Sequence, residues 1–345
     1  MKKKLSNNIK LFCFGFGLSA KYLTKLLIDK KIDFSVAGTS RSTIEFKEKE
    51  VKSFYLEDEI FDKEIFKHLN SSTHILISTP PKMEDVIIKY FYDTLSNNKN
   101  LSWLGYLSST SVYGDHAGDW VIEQSETKAT SVTGLQRLEA EKKLLNTDLP
   151  VRIFRLSGIY SAERNVLKRL KQQEVKVVNM NNQIFSRIHV EDIAQVLWHS
   201  FQKSKAKDIF NVSDDTPCSY REVVEHACDM LKISKPKEIL FEDIPEGQMK
   251  DFYRDSKKVS NKKLIESGNK SLVLKKKIKC NFPIRLFHGL NDKTISADFS
   301  ISLAKTLLSK DITLFFQKDA DHSLSRKEDL KKISNELIKL IKNTI

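Results

Sequence analysis

The sequence predicts an α/β protein built around a doubly wound parallel sheet. Two observations lead to this prediction. Short apolar runs, such as residues 10–14 and 151–156, alternate with helical patterns along the first two thirds of the chain. Continuous apolar runs of this length are typical of strands buried on both faces, as in parallel sheets. The first run also ends in a Gly-x-Gly turn that leads directly into a helical pattern, which is how a strand–helix–strand unit begins.

The first strand and turn read KLFCFGFGLSA over residues 10–20. Gly15 allows a tight turn, Gly17 lets the backbone approach a diphosphate, and Ala20 keeps the helix close to the strand. Leu18 begins the helix, whose free N–H groups and partial positive charge attract phosphate. We therefore predict that this turn binds a dinucleotide cofactor.

The second strand, residues 33–38, is followed by Ser40 and Arg41. In dinucleotide-binding folds an acidic residue at this place binds the ribose 2′-hydroxyl, whereas a basic residue accepts a 2′-phosphate. Ser40 and Arg41 therefore favour NADP as the cofactor, with NAD as the alternative.

Further strands are predicted at residues 54–58 and 74–79, the latter ending in Ser78 and Thr79 before two prolines. Ligands of open parallel sheets bind at the carboxyl edge of the strands. Ser78 and Thr79 are therefore also predicted to contact the cofactor. A fifth strand at 103–110 and a sixth at 151–156 complete the predicted sheet.

Several blocks in a fixed order carry a family resemblance. They read GFGLSA, GTSR (38–41), SSTSVYG (108–114), RLEAEKKL (137–144), FRLSGIY (154–160), FSRIHVEDIAQV (185–196) and NVSDDTPCSYREVV (211–224). Over residues 8–265 the chain resembles the extended short-chain dehydrogenases/reductases of the NAD-dependent epimerase/dehydratase type, and within them the atypical YeeZ-like proteins. The resemblance implies a Rossmann core over about 8–160 and a small substrate lobe over about 161–265.

The resemblance also implies a catalytic serine before the VYG block, here Ser109, and a Tyr-x-x-x-Lys pair on the next helix. The aligned positions hold Thr133 and Arg137 instead, and no tyrosine occurs between residues 114 and 159. A threonine hydroxyl ionises far above pH 7 and cannot replace the tyrosine, whereas Arg137 keeps the charge that holds the ribose. Tyr113 or Tyr160 could supply the proton from another direction.

The resemblance implies hydride transfer on a carbohydrate-like or nucleotide-linked small molecule, as an oxidoreductase or epimerase, with Ser109 polarising the reacting oxygen. Because the tyrosine and lysine are replaced, a non-catalytic NADP(H)-binding sensor or scaffold is the alternative.

From about residue 276 this pattern is lost, and residues 283–330 resemble the C-terminal part of an α/β-hydrolase. Asp292 and His322 take the places of the triad acid and base, but the chain contains no Gly-x-Ser-x-Gly nucleophile motif. We therefore predict an epimerase-like domain over 1–270 and a partial hydrolase-like segment over 271–345, joined by gene fusion. A serine-hydrolase-related protein without its nucleophile is a second alternative.

Composition excludes several other functions. The net charge of +13 comes from lysines dispersed along the chain, whereas nucleic-acid binding favours a concentrated basic face. The four cysteines have no metal-ligand or disulfide spacing, and no segment has the length of a membrane span. We expect a cytoplasmic protein that binds no metal, nucleic acid or membrane, with a homodimer as one option for its assembly.

Overall fold

The chain is divided into two units. The computed structural model describes residues 9–180, 183–201, 207–269, 282–292 and 295–344. Unit 1 is Met1–Glu266 and unit 2 is Ser267–Ile345. The domain boundary predicted between residues 270 and 271 lies outside the described residues.

Unit 1 is built on a central sheet of eight strands in its described part. In chain order the described strands of unit 1, inside and outside this sheet, are β1 Ile9–Phe14, β2 Phe34–Ser40, β3 Lys52–Glu57, β4 Ile60–Phe61, β5 His74–Ile77, β6 Trp103–Ser109, β7 Trp120–Val121, β8 Val151–Leu156, β9 Gly158–Tyr160, β10 Val177–Val178, β11 Arg187–His189, β12 Asp208–Val212, β13 Glu238–Ile239 and β14 Lys258–Val259. The sheet order is β12-β8-β6-β5-β1-β2-β3-β4. All neighbours pair in parallel except β3 and β4.

Helices cover both faces of this sheet. The helices described up to residue 269 are α1 Leu18–Asp29, α2 Glu64–Ser71, α3 Met83–Asn97, α4 Val132–Leu145, α5 Val166–Lys171, α6 Val190–Phe201, α7 Tyr220–Leu231, α8 Gln248–Arg254 and α9 Lys262–Asn269, with a 3-10 helix at Thr110–Tyr113. Helices α1 and α6 pack on one face, and α2, α3 and α4 pack on the other. The predicted fold class, an α/β protein with a doubly wound parallel sheet, is confirmed.

Alternating side chains of β1 explain why its sequence is apolar throughout. Leu11 and Cys13 pack toward α1 and α6, whereas Phe12 and Phe14 pack toward α2 and α3. Because successive strand residues point to opposite faces, a strand covered on both sides needs apolar residues at every position.

Two strands of the sheet were not predicted from the sequence. Strand β12, at the end of the sheet beside β8, reads DIFNV and interrupts its apolar residues with Asp208 and Asn211. Strand β4 has only two residues, Ile60 and Phe61, and pairs antiparallel with β3. An edge strand needs less burial, and a two-residue strand is too short to show a period.

The residues after β8 add small elements outside the sheet. Three parallel strand pairs, β9 with β11, β10 with β13 and β7 with β14, accompany α5, α7 and α8. Helices α5 and α7 pack around a separate apolar cluster that includes Leu170, Val177 and Val224. Of these elements, α5, α7, α8, β10, β11, β13 and β14 lie in the residues predicted to form a substrate lobe, whereas β7 and β9 precede them in the chain.

Unit 2 contains β15 Ile284–Gly289, α10 Ala297–Thr306, β16 Ile312–Gln317 and α11 Lys327–Thr344. Strands β15 and β16 pair in parallel, and the rings of Phe287 and Phe315 stack with centroids 4.7 Å apart. Its relation to α/β-hydrolases stays a prediction. Among the described residues of the chain, no helix combines the length and apolar character that crossing a bilayer requires.

The core of unit 1 gives a first prediction. Ile87 on α3 is 1% exposed, whereas Ile60 on β4 is 70% exposed. Ile87→Ala should lower the free energy of unfolding by about 2–5 kcal/mol because it leaves a cavity between α3 and the sheet. Urea unfolding followed by tryptophan fluorescence reports on unit 1 alone, since Trp103, Trp120 and Trp198 all lie there. The matched variant Ile60→Ala should change the free energy of unfolding by only about 0.5 kcal/mol. Equal effects of the two variants would contradict the described packing of α3.

A buried histidine gives a second prediction, on pH dependence. The ring of His74 in β5 packs against that of Phe201, with centroids 4.3 Å apart, and burial lowers the pKa of His74 to about 4. The unfolded chain therefore binds this proton near pH 6.5 and the folded chain only near pH 4, so stability is lost as the pH falls between these values. We expect His74 to account for a loss of roughly 3 kcal/mol from pH 7 to pH 4. Urea unfolding at several pH values should show a shallower decline for His74→Phe, and an unchanged slope would refute this assignment.

Candidate functional site

A cleft lies at the carboxyl edge of the central sheet. The chain crosses from β1 to β2 on one side and continues from β5 on the other, so the order of the strands reverses between β1 and β5. Open parallel sheets bind ligands at this point. The cleft has a volume of about 360 Å³ and is lined by Gly17, Leu18, Ser19, Ser78, Leu107, Ser108, Ser109, Arg137, Leu156, Ser157, Ile159 and Arg164.

The turn after β1 is held between its two neighbouring strands. Gly15 has a φ of +82°, a conformation that favours glycine, and a Cβ there would lie 3.3 Å from the carbonyl group of Ser78. Its N–H donates to Thr39 Oγ1 at 2.9 Å, and Ser78 Oγ donates to the carbonyl oxygen of Gly15 at 2.6 Å. Gly15 and Ser78 therefore fix the turn, and Ser78 also lines the cleft.

Gly17 precedes α1 and leaves room for a ligand. No side chain caps α1 at this residue, and a Cβ on Gly17 would have no atom within 4 Å. Leu18 and Ser19 begin the helix, whose first N–H groups have no partner within the helix and attract anions. Ala20 is fully buried against the sheet. This open, uncapped helix N-terminus fits the diphosphate of a dinucleotide cofactor.

Ser40 and Arg41 lie at the end of β2 and do not line the cleft. The guanidinium of Arg41 is 3.8 Å from the carboxylate of Glu57, and its side chain is 76% exposed. Ser40 Oγ accepts a hydrogen bond from the N–H of Ser42 at 3.2 Å. Both residues stand where the sequence placed them, at the carboxyl end of the second strand, and the preference for NADP stays a prediction.

Arg137 lines the cleft from α4, but its guanidinium is bonded to protein groups. It donates to Glu84 Oε1 at 2.8 Å, to Tyr106 Oη at 2.9 Å and to the carbonyl oxygen of Thr79 at 3.0 Å. Burial raises the pKa of the Glu84 carboxyl, and the nearby Arg137 opposes that shift. Arg137 thus joins α4 to α3, β6 and the end of β5. Thr79 contributes its backbone here and does not line the cleft.

Ser109 and Thr133 occupy different positions relative to the cleft. Ser109 lines it at the end of β6, and its Oγ accepts a hydrogen bond from the N–H of Ser111 at 3.1 Å. Thr133 lies on the first turn of α4 and is not among the lining residues. The structure therefore brings Ser109 and Arg137 into the cleft and leaves Thr133 outside it.

Tyr113 is fully buried outside the cleft. Its hydroxyl donates to Asn211 Oδ1 at 2.7 Å and accepts from Arg155 at 2.9 Å, and burial raises its pKa. Arg155 also pairs with Glu141 at 2.7 Å, which accepts from Ser108 Oγ at 2.5 Å. The tyrosine hydroxyl therefore belongs to a buried polar network beside the sheet.

Two other tyrosines also lie outside the cleft. Tyr160, on β9, has its ring 5.1 Å from that of His189. Tyr253 and Lys257 form the one literal Tyr-x-x-x-Lys sequence, but Tyr253 is buried in an apolar cluster. Lys257 Nζ donates to the carbonyl oxygen of Gly114 at 2.7 Å. No tyrosine is among the cleft's lining residues in the described part of the chain.

Several lining residues were not identified from the sequence. They are Ser19, Leu107, Ser108, Leu156 and Arg164. Leu107, Ser108 and Leu156 lie at the carboxyl ends of β6 and β8, so the rule that ligands bind at the carboxyl edge could have found them. Arg164 lies four residues beyond β9, and no local pattern distinguishes it from the other basic residues of the chain.

The predicted triad residues of unit 2 form a pair. His322 Nδ1 lies 2.8 Å from Asp292 Oδ2, and the N–H of Ile295 donates to Asp292 Oδ1 at 2.9 Å. Asp292 is buried and the His322 side chain is exposed. The carboxylate can thus orient the imidazole, although the sequence has no Gly-x-Ser-x-Gly motif to supply a nucleophile.

Comparison with solved structures shows fold relatives. The UDP-glucose 4-epimerase of Thermus thermophilus, solved with NAD, is 14% identical, with a TM-score of 0.58 over 75% of this chain and 93% of that chain. The dTDP-glucose 4,6-dehydratase of Bacillus anthracis str. Ames, solved with NAD, is 12% identical, with a TM-score of 0.59 over 76% and 90%. At these identities the likeness shows the fold alone. No curated protein matches the sequence.

Two findings concern the family. A conserved protein of unknown function from Silicibacter pomeroyi DSS is 31% identical, with a TM-score of 0.65 over 74% of this chain and 91% of that chain. Residues 93–213 match the model of the NAD-dependent epimerase/dehydratase family. This segment includes the end of β6, α4 and β8, which form one side of the cleft. The part of the chain that forms this side of the cleft therefore matches the NAD-dependent epimerase/dehydratase family.

Proposed function

We propose that the chain binds NADP(H), or alternatively NAD(H), in this cleft and acts as an oxidoreductase or epimerase. The substrate would be a carbohydrate-like or nucleotide-linked small molecule. The observation that carries the proposal is the open, uncapped N-terminus of α1 beside Gly17, at the point where the strand order reverses. The match of residues 93–213 to the family model supports it, as do the fold relatives solved with NAD.

The lining residues divide the work of binding. The backbone N–H groups at Gly17 and Leu18 would hold the cofactor's diphosphate, and the Gly15–Ser78 contact keeps their turn in place. When bound, the nicotinamide ring would supply hydride transfer. Leu107, Leu156 and Ile159 give the cleft apolar walls that exclude water.

Ser109 is the hydroxyl best placed to act on substrate. It lies at the carboxyl end of β6, lines the cleft, and receives a hydrogen bond from the N–H of Ser111 that orients its oxygen. Its own proton stays available to polarise a carbonyl or hydroxyl oxygen of the substrate. Tyr113 is the weaker candidate for the proton donor because Asn211 and Arg155 already occupy its hydroxyl.

A non-catalytic NADP(H) sensor or scaffold is the second candidate function. Two observations favour it: no described tyrosine lines the cleft, and Arg137 is engaged by Glu84. A hydrolase-related role rests only on the Asp292–His322 pair, and a homodimer and a cytoplasmic location stay predictions. Reductase turnover on a panel of carbonyl compounds separates an enzyme from a sensor.

Gly17→Asp tests cofactor binding directly. The backbone at Gly17 has a negative φ and the added side chain meets open space, so the variant should fold as the parent does. Its carboxylate would lie where the diphosphate binds, and we expect the Kd for NADPH, measured by fluorescence titration, to rise by about 100-fold or more.

Asn100→Asp is the control for Gly17→Asp. It adds the same negative charge at an exposed position just before β6, at the opposite edge of the sheet. The Kd for NADPH should stay within about twofold of the parent value, because an exposed charge at this range is screened. If Gly17→Asp were as harmless as this control, the cofactor site would be misplaced.

Ser109→Ala and Tyr113→Phe test the two hydroxyls. Ser109→Ala should reduce turnover by about 10–100-fold while the Kd for NADPH stays within about twofold, because this hydroxyl acts on substrate. Tyr113→Phe should instead lower the free energy of unfolding by about 1–3 kcal/mol, because Asn211 Oδ1 loses its buried donor and Arg155 loses one of its acceptors. Urea unfolding and steady-state kinetics measure the two effects. A stable Tyr113→Phe protein that has lost turnover would move the proton donor to Tyr113.

A further inference from the structure

We propose that Arg164 and Ser157 form a second anion-binding contact in the cleft, opposite the N-terminus of α1, and that this contact holds the diphosphate of the dinucleotide. The inference rests on the proposed function. It assigns the second contact to residues that follow β8 and β9, far in sequence from the glycine turn that holds the other side of the ligand.

Arg164 lines the same cleft as Gly17 and Ser19, although about 145 residues separate them in the chain. Within the described residues its guanidinium takes part in no ion pair. This distinguishes it from Arg137, the other cationic lining residue, whose charge is matched by Glu84. A guanidinium without a carboxylate partner can bind a phosphate group through two hydrogen bonds.

The backbone that carries Arg164 is held in one conformation. The N–H of Arg164 donates to Ser161 Oγ at 3.0 Å, and the N–H of Ser161 donates back to the carbonyl oxygen of Arg164 at 2.9 Å. Asn165 Nδ2 donates to the carbonyl oxygen of Ser161 at 3.0 Å, and Asn165 Oδ1 caps α5. Because this turn is already closed, ligand binding costs ordering of the Arg164 side chain alone.

A side-chain contact ties this turn to α1. Tyr22 Oη, one turn into α1, lies 2.9 Å from Glu163 Oε2. Hydrogen bonds from Ser161 and Tyr22 lower the pKa of Glu163 and keep its carboxylate ionised. Glu163, the neighbour of Arg164, is therefore bonded to Tyr22 of α1. This contact brings the turn that carries Arg164 to the end of the helix where an anion binds.

Ser157 is a second, independent indication of a ligand. The residue is 3% exposed, and its hydroxyl has no hydrogen-bond partner in the described part of the chain. A buried hydroxyl without a partner is costly, and such groups in native proteins usually have a ligand or water as partner. Its backbone N–H donates to the carbonyl oxygen of Val212 at 3.1 Å, which fixes the residue at the end of β8 beside the cleft.

Two sources could supply the phosphate, the cofactor or a nucleotide-linked substrate. Arg164 shares the cleft with Gly17, Leu18 and Ser19, where a dinucleotide's diphosphate is expected, so we assign it to the cofactor. An arginine that served the substrate would affect substrate binding to the cofactor-saturated protein and leave cofactor affinity unchanged.

The test uses the full chain with Arg164→Gln, Arg164→Lys and Ser157→Ala, and Lys168→Gln as the matched control. Lys168 is an exposed cation four residues further on, within α5. Titrations with NADPH, ADP and adenosine separate diphosphate from adenosine binding. We expect Arg164→Gln to raise the Kd for NADPH and ADP by about tenfold or more and to leave that for adenosine within about twofold. Arg164→Lys should recover part of the lost NADPH affinity, and Ser157→Ala should raise the Kd for NADPH by a few fold. Lys168→Gln should have the same Kd for NADPH as the parent protein.

Several results would overturn the inference. One is an unchanged Kd for NADPH in Arg164→Gln. If this variant also weakens UDP binding to the NADPH-saturated protein, Arg164 would be assigned to a substrate phosphate. Another is an equal loss for Lys168→Gln, which would indicate a general charge effect. If the parent protein binds NADPH and Arg164→Gln has no effect, this inference fails and the proposed function stands. If the parent protein does not bind NADPH, the inference and the proposed function both fail.

Discussion

The site depends on the close approach of the Gly15 turn to the end of β5. A side chain on Gly15 would press against the backbone of Ser78, and the hydrogen bonds from Gly15 to Thr39 and from Ser78 to Gly15 join three neighbouring strands. This contact directs the chain into α1 at the place where the strand order reverses. The cleft, the free N-terminus of α1 and the position of Gly17 all follow from it.

A second constraint is the burial of charge beside the cleft. Glu84 and Arg137 neutralise each other, and Glu141 and Arg155 form a pair that also engages Ser108 and Tyr113. Removing one partner of a buried pair leaves an uncompensated charge, so we expect both pairs to stabilise unit 1 around the cleft. The pairing accounts for the contacts of Arg137, whose guanidinium is bonded to Glu84, Tyr106 and the carbonyl oxygen of Thr79. It leaves serine hydroxyls and Arg164 as the polar groups free to meet a ligand.

Unit 2 contains an acid–base pair but no nucleophile motif to accompany it. Strands β15 and β16 hold the Asp292–His322 pair at hydrogen-bonding distance. A triad, however, needs a nucleophile that the base can deprotonate, and the motif that supplies it in α/β-hydrolases does not occur in this sequence. The pair is therefore weaker evidence for chemistry than the cleft of unit 1, where turn, helix end and strand ends converge.

The sequence by itself determined the fold class, the strands of the sheet interior and the glycine turn, because both-face burial and a positive φ leave local signatures in the residues themselves. It also placed Ser78, Ser109 and Arg137 at strand or helix positions that the structure brings to one cleft. Tertiary structure alone decided that Tyr113 and Thr133 lie outside the cleft, that Arg137 is paired with Glu84, and that Arg164 lies inside it. These facts depend on contacts between residues far apart in the chain, and a local pattern carries no record of which distant group a side chain will meet.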